Sequence, residues 1–387
     1  MNNSQRLHGL DFLRALMMSL GVLLHTAQLY TTMPFVDYYW DLSRSISMDA
    51  LLIFINTFRM PTFFLLSGFF TALLVSRSGL SGMLLNRRKR LLLPFVIFLP
   101  LLAISMSTLR IMAVHIMVKG EWGFDPALVE PQSALWNNTH NLWFLYYLMM
   151  YVVTAALLLY LSPYIRVFTA ALKAGWLGRL PVYSPLTICV VALWLAVIGS
   201  SSYSGRISGA LGFIPLATVY AYFGLCFLMG WFLFQRQGDI AVLVKRSWWL
   251  LAMAIMCLLI GLLAFLKQGE MGDANYSSWH LVLSLGNGFS MVFFMFGLVG
   301  LFCRYFTRHH PWVRYFSDSA YWIFIFHSVP MIAIALLMHD WVVAAEIKFL
   351  VVVSGTFGAC LLSYHYAVRS TAIGALLNGR RYSRECY

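Results

Sequence analysis

The sequence predicts an all-α protein, a polytopic bundle of about ten transmembrane helices with both termini on the cytoplasmic side. Three observations predict it. Of 387 residues, 61% are hydrophobic and 11% are charged, against roughly a quarter charged in soluble domains. Apolar runs of about 20 residues, the length that crosses a hydrocarbon layer ~30 Å thick, recur along the whole chain. The 27 Lys plus Arg, opposed by 14 Asp plus Glu, concentrate on one set of alternate loops, and positive loops stay cytoplasmic.

In chain order the spans are 10–30, 48–76, 91–118, 142–162, 183–200, 211–235, 248–266, 279–303, 320–338 and 345–368. Backbone in lipid must satisfy its own hydrogen bonds, so each is helical. The first carries Arg14 and His25 and is followed by further spans, so it reads as a retained helix, not a cleaved signal. Connections are short, so residues 1–387 form a single membrane domain that must hold the whole function. One set of loops collects Arg77, Arg87, Arg88, Lys89, Arg90, Arg236, Lys245, Arg246, Arg304, Arg308, Arg314 and Arg369. The other holds Arg44, Lys119, Arg206 and Lys267, with Lys348 at the rim of the last span, together with most of the acids, such as Asp41, Glu121, Asp273 and Asp340. The stretch 163–182, with Arg166, Lys173 and Arg179 among apolar residues, suits an amphipathic segment on the cytoplasmic surface.

The formal charge of +13 is explained by topology and anionic headgroups, so the chain's partner is the lipid bilayer and not nucleic acid. Six cysteines, including Cys386, are scattered singly without a Cys-x-x-Cys pair, which points to neither a disulfide frame nor a metal site.

Ionisable groups inside a span are functional candidates by default. Asp11 lies three residues before Arg14, and His25 eleven after it. At about 100° per residue these share one helix stripe, with His25 about 16 Å deeper than Arg14. His25 is either a core histidine bonded to a neighbouring helix or a group that takes a proton from a hydroxyl and returns it to a leaving thiol. No Gly-x-Ser-x-Gly nucleophile accompanies it, so direct transfer is more economical than an acyl-enzyme.

The second span carries Arg59 at a depth similar to His25, then Pro61, and a small pair, Ser67 and Gly68, that packing alone would explain. Arg87-Arg88-Lys89-Arg90 is a topology signal that could also hold the phosphates of a nucleotide-type donor such as coenzyme A. His327 sits in the ninth span beside Pro330, as a core histidine or a second group facing the same cavity. Arg110 and His115 lie near the outer end of the third span, where snorkelling accounts for the arginine. His365 and the pair His309-His310 read as surface residues.

Leu10-Asp11-x-x-Arg14-Ala15-Leu16 with His25, Phe63-Phe64-x-x-Ser67-Gly68-Phe69, Arg87-x-x-Arg90, Leu142-Trp143-Phe144-Leu145 and the aromatic run ending in His327 together resemble the acyltransferase 3 family of membrane enzymes. The resemblance covers nearly the whole chain. It implies acyl-CoA as donor substrate, no permanently bound cofactor, and a glycan hydroxyl outside the cytoplasmic (inner) membrane of a bacterium as acceptor. It implies His25 as the essential histidine, assisted by Arg14 and Asp11. Arg87 and Arg90, with Ser67 and Gly68, would serve the donor, and Arg59, Trp143 and His327 the acyl or acceptor end. Phe58-Arg59-Met60 is similar to a branch that succinylates periplasmic glucans, which implies succinyl-CoA and a carboxylate held by Arg59. Where the family usually has a His directly before Leu-Trp-Phe-Leu, this chain has Asn141, with His140 one position earlier. Two other readings stand beside this one: a transporter or flippase for an envelope glycan or lipid precursor, which also uses buried charges and kinked spans, and a scaffold subunit.

Overall fold

A computed structural model describes residues 3–32, 39–129, 138–161, 181, 183–308 and 310–379. The proposed surface segment 163–182, apart from Pro181, lies outside the described residues, as do His309 and Cys386.

The described residues are mostly helical, with one isolated bridge, Asn138 to Gly212, and no strand among them. The helices are α1 (Asn3–Gln28), α2 (Ile46–Arg87), α3 (Leu93–Lys119), α4 (Trp143–Leu161), α5 (Pro185–Gly199), α6 (Ala217–Gln235), α7 (Asp239–Lys267), α8 (Tyr276–Tyr305), α9 (Pro311–Phe326), α10 (Ser328–Leu337), α11 (Ala345–Ser363) and α12 (Ala372–Asn378). Each sequence window falls on one of them except 320–338, which spans α9 and α10. By length and composition seven helical runs among the described residues can cross a membrane, eight if α9 and α10 count as one bent span, and α5 is apolar but short.

One of those runs, Ile46–Lys119, has 74 residues and would be about 110 Å long if straight. It turns at Gly79 (φ 67, ψ −175), a conformation that glycine adopts without a Cβ penalty. A π-helical turn, Arg88–Leu92, then carries the basic cluster into α3. The helix therefore runs through residues 77–90, which the sequence windows leave as a loop. Pro94 supplies no N–H to the carbonyl of Arg90, and the Tyr321 hydroxyl donates to it at 2.8 Å.

Two other boundaries move. Residues 211–216 are not helical: Pro215 precedes α6, and the Leu211 carbonyl instead accepts from the Thr139 N–H at 2.6 Å. α7 starts at Asp239 rather than 248, because its polar first turns extend beyond the apolar run. The ninth window is broken, with α9 and α10 meeting at 63°. Pro330 removes the N–H that would reach the Phe326 carbonyl, and the bend falls at His327.

Packing of α2 on α6 is backbone to backbone. A Cβ on Gly68 would meet the Phe227 carbonyl oxygen at 1.9 Å, and one on Gly230 would meet that of Leu65 at 1.7 Å. Small residues at such crossings permit close approach where lipid supplies no hydrophobic drive. Away from the basic cluster, Lys348 Nζ on α11 contacts Asp41 Oδ1 at 2.8 Å, both side chains fully buried. The Tyr39 hydroxyl donates to the same carboxylate at 3.1 Å. Burial, reinforced by that carboxylate, holds the Tyr39 hydroxyl well above the ordinary phenol range, so it remains a donor. This cluster ties the loop after α1 to the start of α11.

Candidate active site

The site has two layers along α1. The first is a cavity of about 340 Å³ lined by side chains of α1 (Arg14, Met18), α2 (Phe63, Ser67, Phe70, Arg87), the π turn (Arg90), α4 (Phe144, Leu145, Leu148), α9 (Ser317, Asp318, Tyr321) and α12 (Leu377, Asn378). That is at the small end of ligand pockets, which span about 300–1,000 Å³.

Three guanidiniums converge there. Arg14 Nη2 pairs with Asp11 Oδ1 at 3.3 Å and its guanidinium carbon lies 5.0 Å from the Phe70 ring centre. Arg87 Nη2 donates to Thr71 Oγ1 at 2.7 Å, while its Nε is buried without a partner. Arg90 Nη2 donates to the Asn378 carbonyl at 3.1 Å. Like charges gathered in a partly buried cleft focus a field that favours a polyanion such as a phosphate group.

The second layer continues the same stripe of α1, through Gly21 to His25, positions 14, 18, 21 and 25 sharing one face. A Cβ on Gly21 would lie 3.2 Å from Arg59 Nη2, so the glycine makes room for the guanidinium. Arg59 is 6% exposed, its Nε is buried without a partner, and no acidic side chain pairs with it among the described residues. Its charge acts on both His25 and His327.

The imidazoles of His25 and His327 stack with centroids 5.5 Å apart and planes 29° apart. His25 Nδ1 lies 2.8 Å from Gln28 Oε1. An amide oxygen only accepts, so Nδ1 carries the proton and Nε2 presents a lone pair. His327 is fully buried, and its Nδ1 lies 2.8 Å from the Phe324 carbonyl and 3.1 Å from that of Ile323. The same argument puts its proton on Nδ1 and a lone pair on Nε2, which lies 3.4 Å from Ser328 Oγ. Asn141 Nδ2 donates to that serine oxygen. Carbonyls of the last turn of α9 thus fix the His327 ring.

The structure therefore places Arg14, Arg87, Arg90 and Ser67 round the cavity, with Asp11 on Arg14, and gathers His25, Arg59 and His327 in the second layer. Gly68 is elsewhere, against the α6 backbone. Trp143 is also elsewhere: its indole packs over Gly209 and among Phe64, Tyr147 and Phe223. Asn141, not His140, reaches the histidine layer. Residues 140–142 form a 3-10 turn with His140 at φ 48, so the offset of one residue is not a simple rotation round an α-helix. Sequence reasoning gave no role to Gln28, Tyr321, Phe144 and Asn378, although Phe144 stands in the quoted Leu-Trp-Phe-Leu run. Gln28 also carried a signal, an acceptor three residues after His25 on the same helix face.

A family model described as an acyltransferase domain matches residues 7–368. Curated relatives include two proteins named glucans biosynthesis protein C, from Escherichia coli strain SMS-3-5 / SECEC and strain K12. Each is 29% identical over 167 residues, 42% of this chain and 40% of the relative. The match thus spans about two fifths of the relatives' length. No solved structure matches. With most of the chain falling inside the matched region, Arg14, His25, Arg59, Arg87, Arg90 and His327 included, this protein belongs to the acyltransferase 3 family, and its long apolar helices are those of a multi-pass membrane protein.

Proposed function

We propose that this enzyme is an O-acyltransferase of the bacterial inner membrane. It crosses about ten times with both termini in the cytoplasm, takes an acyl group from cytoplasmic acyl-CoA and places it on a hydroxyl of an extracytoplasmic glycan such as a periplasmic glucan. The acyl group is succinyl. The observation that carries the reading is Arg59, a buried guanidinium without an ion-pair partner among the described residues, seated against Gly21 one turn before His25 and beyond an arginine-lined cavity. An isolated buried cation is costly. A substrate carboxylate arriving with the acyl group would compensate it.

In this reading the phosphates and pantetheine arm of coenzyme A occupy the cavity beside Arg14, Arg87 and Arg90. His25 Nε2 takes the proton of the acceptor hydroxyl as its oxygen attacks the thioester carbon. The carbon–sulfur bond breaks, and the imidazolium returns that proton to the departing thiolate. No acyl-enzyme is needed, and His25 ends neutral. The two relatives' name connects them to glucans, which supports the acceptor class.

The test is mass spectrometry of envelope glycans from a strain lacking the gene, complemented with wild type or with His25→Ala at equal membrane abundance. Wild type is expected to add a succinyl mass, and His25→Ala to lose about 10²–10⁴ of the rate, the scale of general-base catalysis. Full restoration by His25→Ala would sink the assignment.

A further inference from the structure

The cavity does not reach the histidines. Its lining ends at Met18, Phe63 and Phe144, and neither His25 nor His327 contributes to it. On the side of α2, α4 and α9 an aromatic layer lies between the cavity and the histidines. The rings of Phe63 and Phe144 meet edge to face with centroids 4.7 Å apart, and Phe144 meets Phe324 in the same way at 4.4 Å. Phe324 in turn lies 6.3 Å from the His327 ring. All three phenylalanines are buried.

Edge-to-face aromatic contacts of this kind are favourable beyond the area they bury. The layer is thus a packed floor, not a loose filling. Phe144 belongs to both sides of it, lining the cavity on one edge and touching Phe324 on the other. A thioester held in the cavity leads with its acyl chain, so to present its carbonyl to His25 that chain must push past this floor and lodge beyond it, towards Arg59.

We infer that Phe144, seated on Phe63, is the acyl-length selector of this enzyme: it admits short acyl groups and excludes long ones. The inference rests on the proposed transfer from acyl-CoA. A close-packed interior does not enlarge to fit extra methylenes without strain, so each carbon beyond the space released by a ring rotation is resisted. Trimming the ring at position 144 removes that resistance while leaving the arginines and histidines in place. Trp143, the adjacent residue on the other side of α4, offers the contrast, since its indole touches neither the cavity nor the histidines.

The experiment uses purified full-length protein in proteoliposomes with glucan oligosaccharides, and follows thiol release from acetyl-, succinyl-, butyryl-, hexanoyl- and octanoyl-CoA. Wild type is expected to favour chains of two to four carbons, roughly, over octanoyl by at least about tenfold in kcat/KM, the scale on which an apolar pocket discriminates. Phe144→Ala is expected to raise the octanoyl-to-succinyl ratio about tenfold, and Phe144→Leu in the same direction by less. Trp143→Phe leaves the ratio unchanged. If both position-144 variants turn over succinyl-CoA with the wild-type ratio, the selector is overturned while acyl-CoA transfer stands. If wild type consumes none of the donors, the transfer reading fails and the selector with it.

Discussion

Gln28 accepts from His25 Nδ1 at 2.8 Å one turn further along the same helix, so the ring that stacks on His327 is held in one tautomer by its own backbone element. A bond between positions i and i+3 needs no help from tertiary packing.

Replacing Gln28 by Leu removes the acceptor and frees the ring to turn. The expected result is a fall in kcat of about tenfold or more with KM for the donor unchanged, because the lost interaction orients the base rather than the substrate. Gln28→Glu keeps an acceptor and should retain most of the activity. Steady-state kinetics of the two variants checks this, and equal losses in both would remove the orienting role.

Arg59→Leu should separate stability from activity. Taking away a buried cation that lacks an ion-pair partner relieves desolvation, so the variant is expected to gain roughly 1 kcal/mol or more of stability and to unfold at a higher temperature. Succinyl transfer should collapse while acetyl transfer persists. Thermal unfolding in detergent alongside donor-specific assays reads both effects, and a loss of stability would mean that the guanidinium is structural.

Arg90→Ala deletes a donor at the cavity mouth. A charge-assisted hydrogen bond contributes about 1.5–3 kcal/mol, so KM for acyl-CoA should rise by roughly tenfold or more with little change in kcat. Titration of initial rates against donor concentration, with added salt as a second axis, tests it.

Much of this site was legible in the sequence, for a specific reason. Asp11, Arg14 and His25 sit on a single helix whose period is fixed, so their common face follows from numbering alone. The arginines of residues 87–90 announce themselves by charge. Trp143 and Phe144 show the opposite case. α4 is apolar all round, which leaves no polar face to set its rotation, and only packing decides which of two adjacent aromatics looks inward. Gly68 stayed open between packing and donor binding for a related reason, since a small residue beside a ligand and one beside a backbone read alike.

The Asp41–Lys348 pair was illegible for another reason, its partners being far apart in sequence and joined only by tertiary structure. Asp41→Asn leaves a buried ammonium unmatched and should cost about 3–5 kcal/mol. The double variant Asp41→Leu/Lys348→Met is expected to recover most of that loss. Thermal unfolding of the single and double variants measures the coupling, and additive losses would show the pair to be independent.

Arg14 and His25 ride on one unbroken rod, so the offset between the cation at the cavity and the base above it is a property of covalent geometry. Rocking, tilting or sliding of α1 carries both together and leaves their phase untouched. The other helices can rearrange around a substrate without detuning that gauge, whereas one residue inserted between positions 14 and 25 would throw the two out of phase by about 100°.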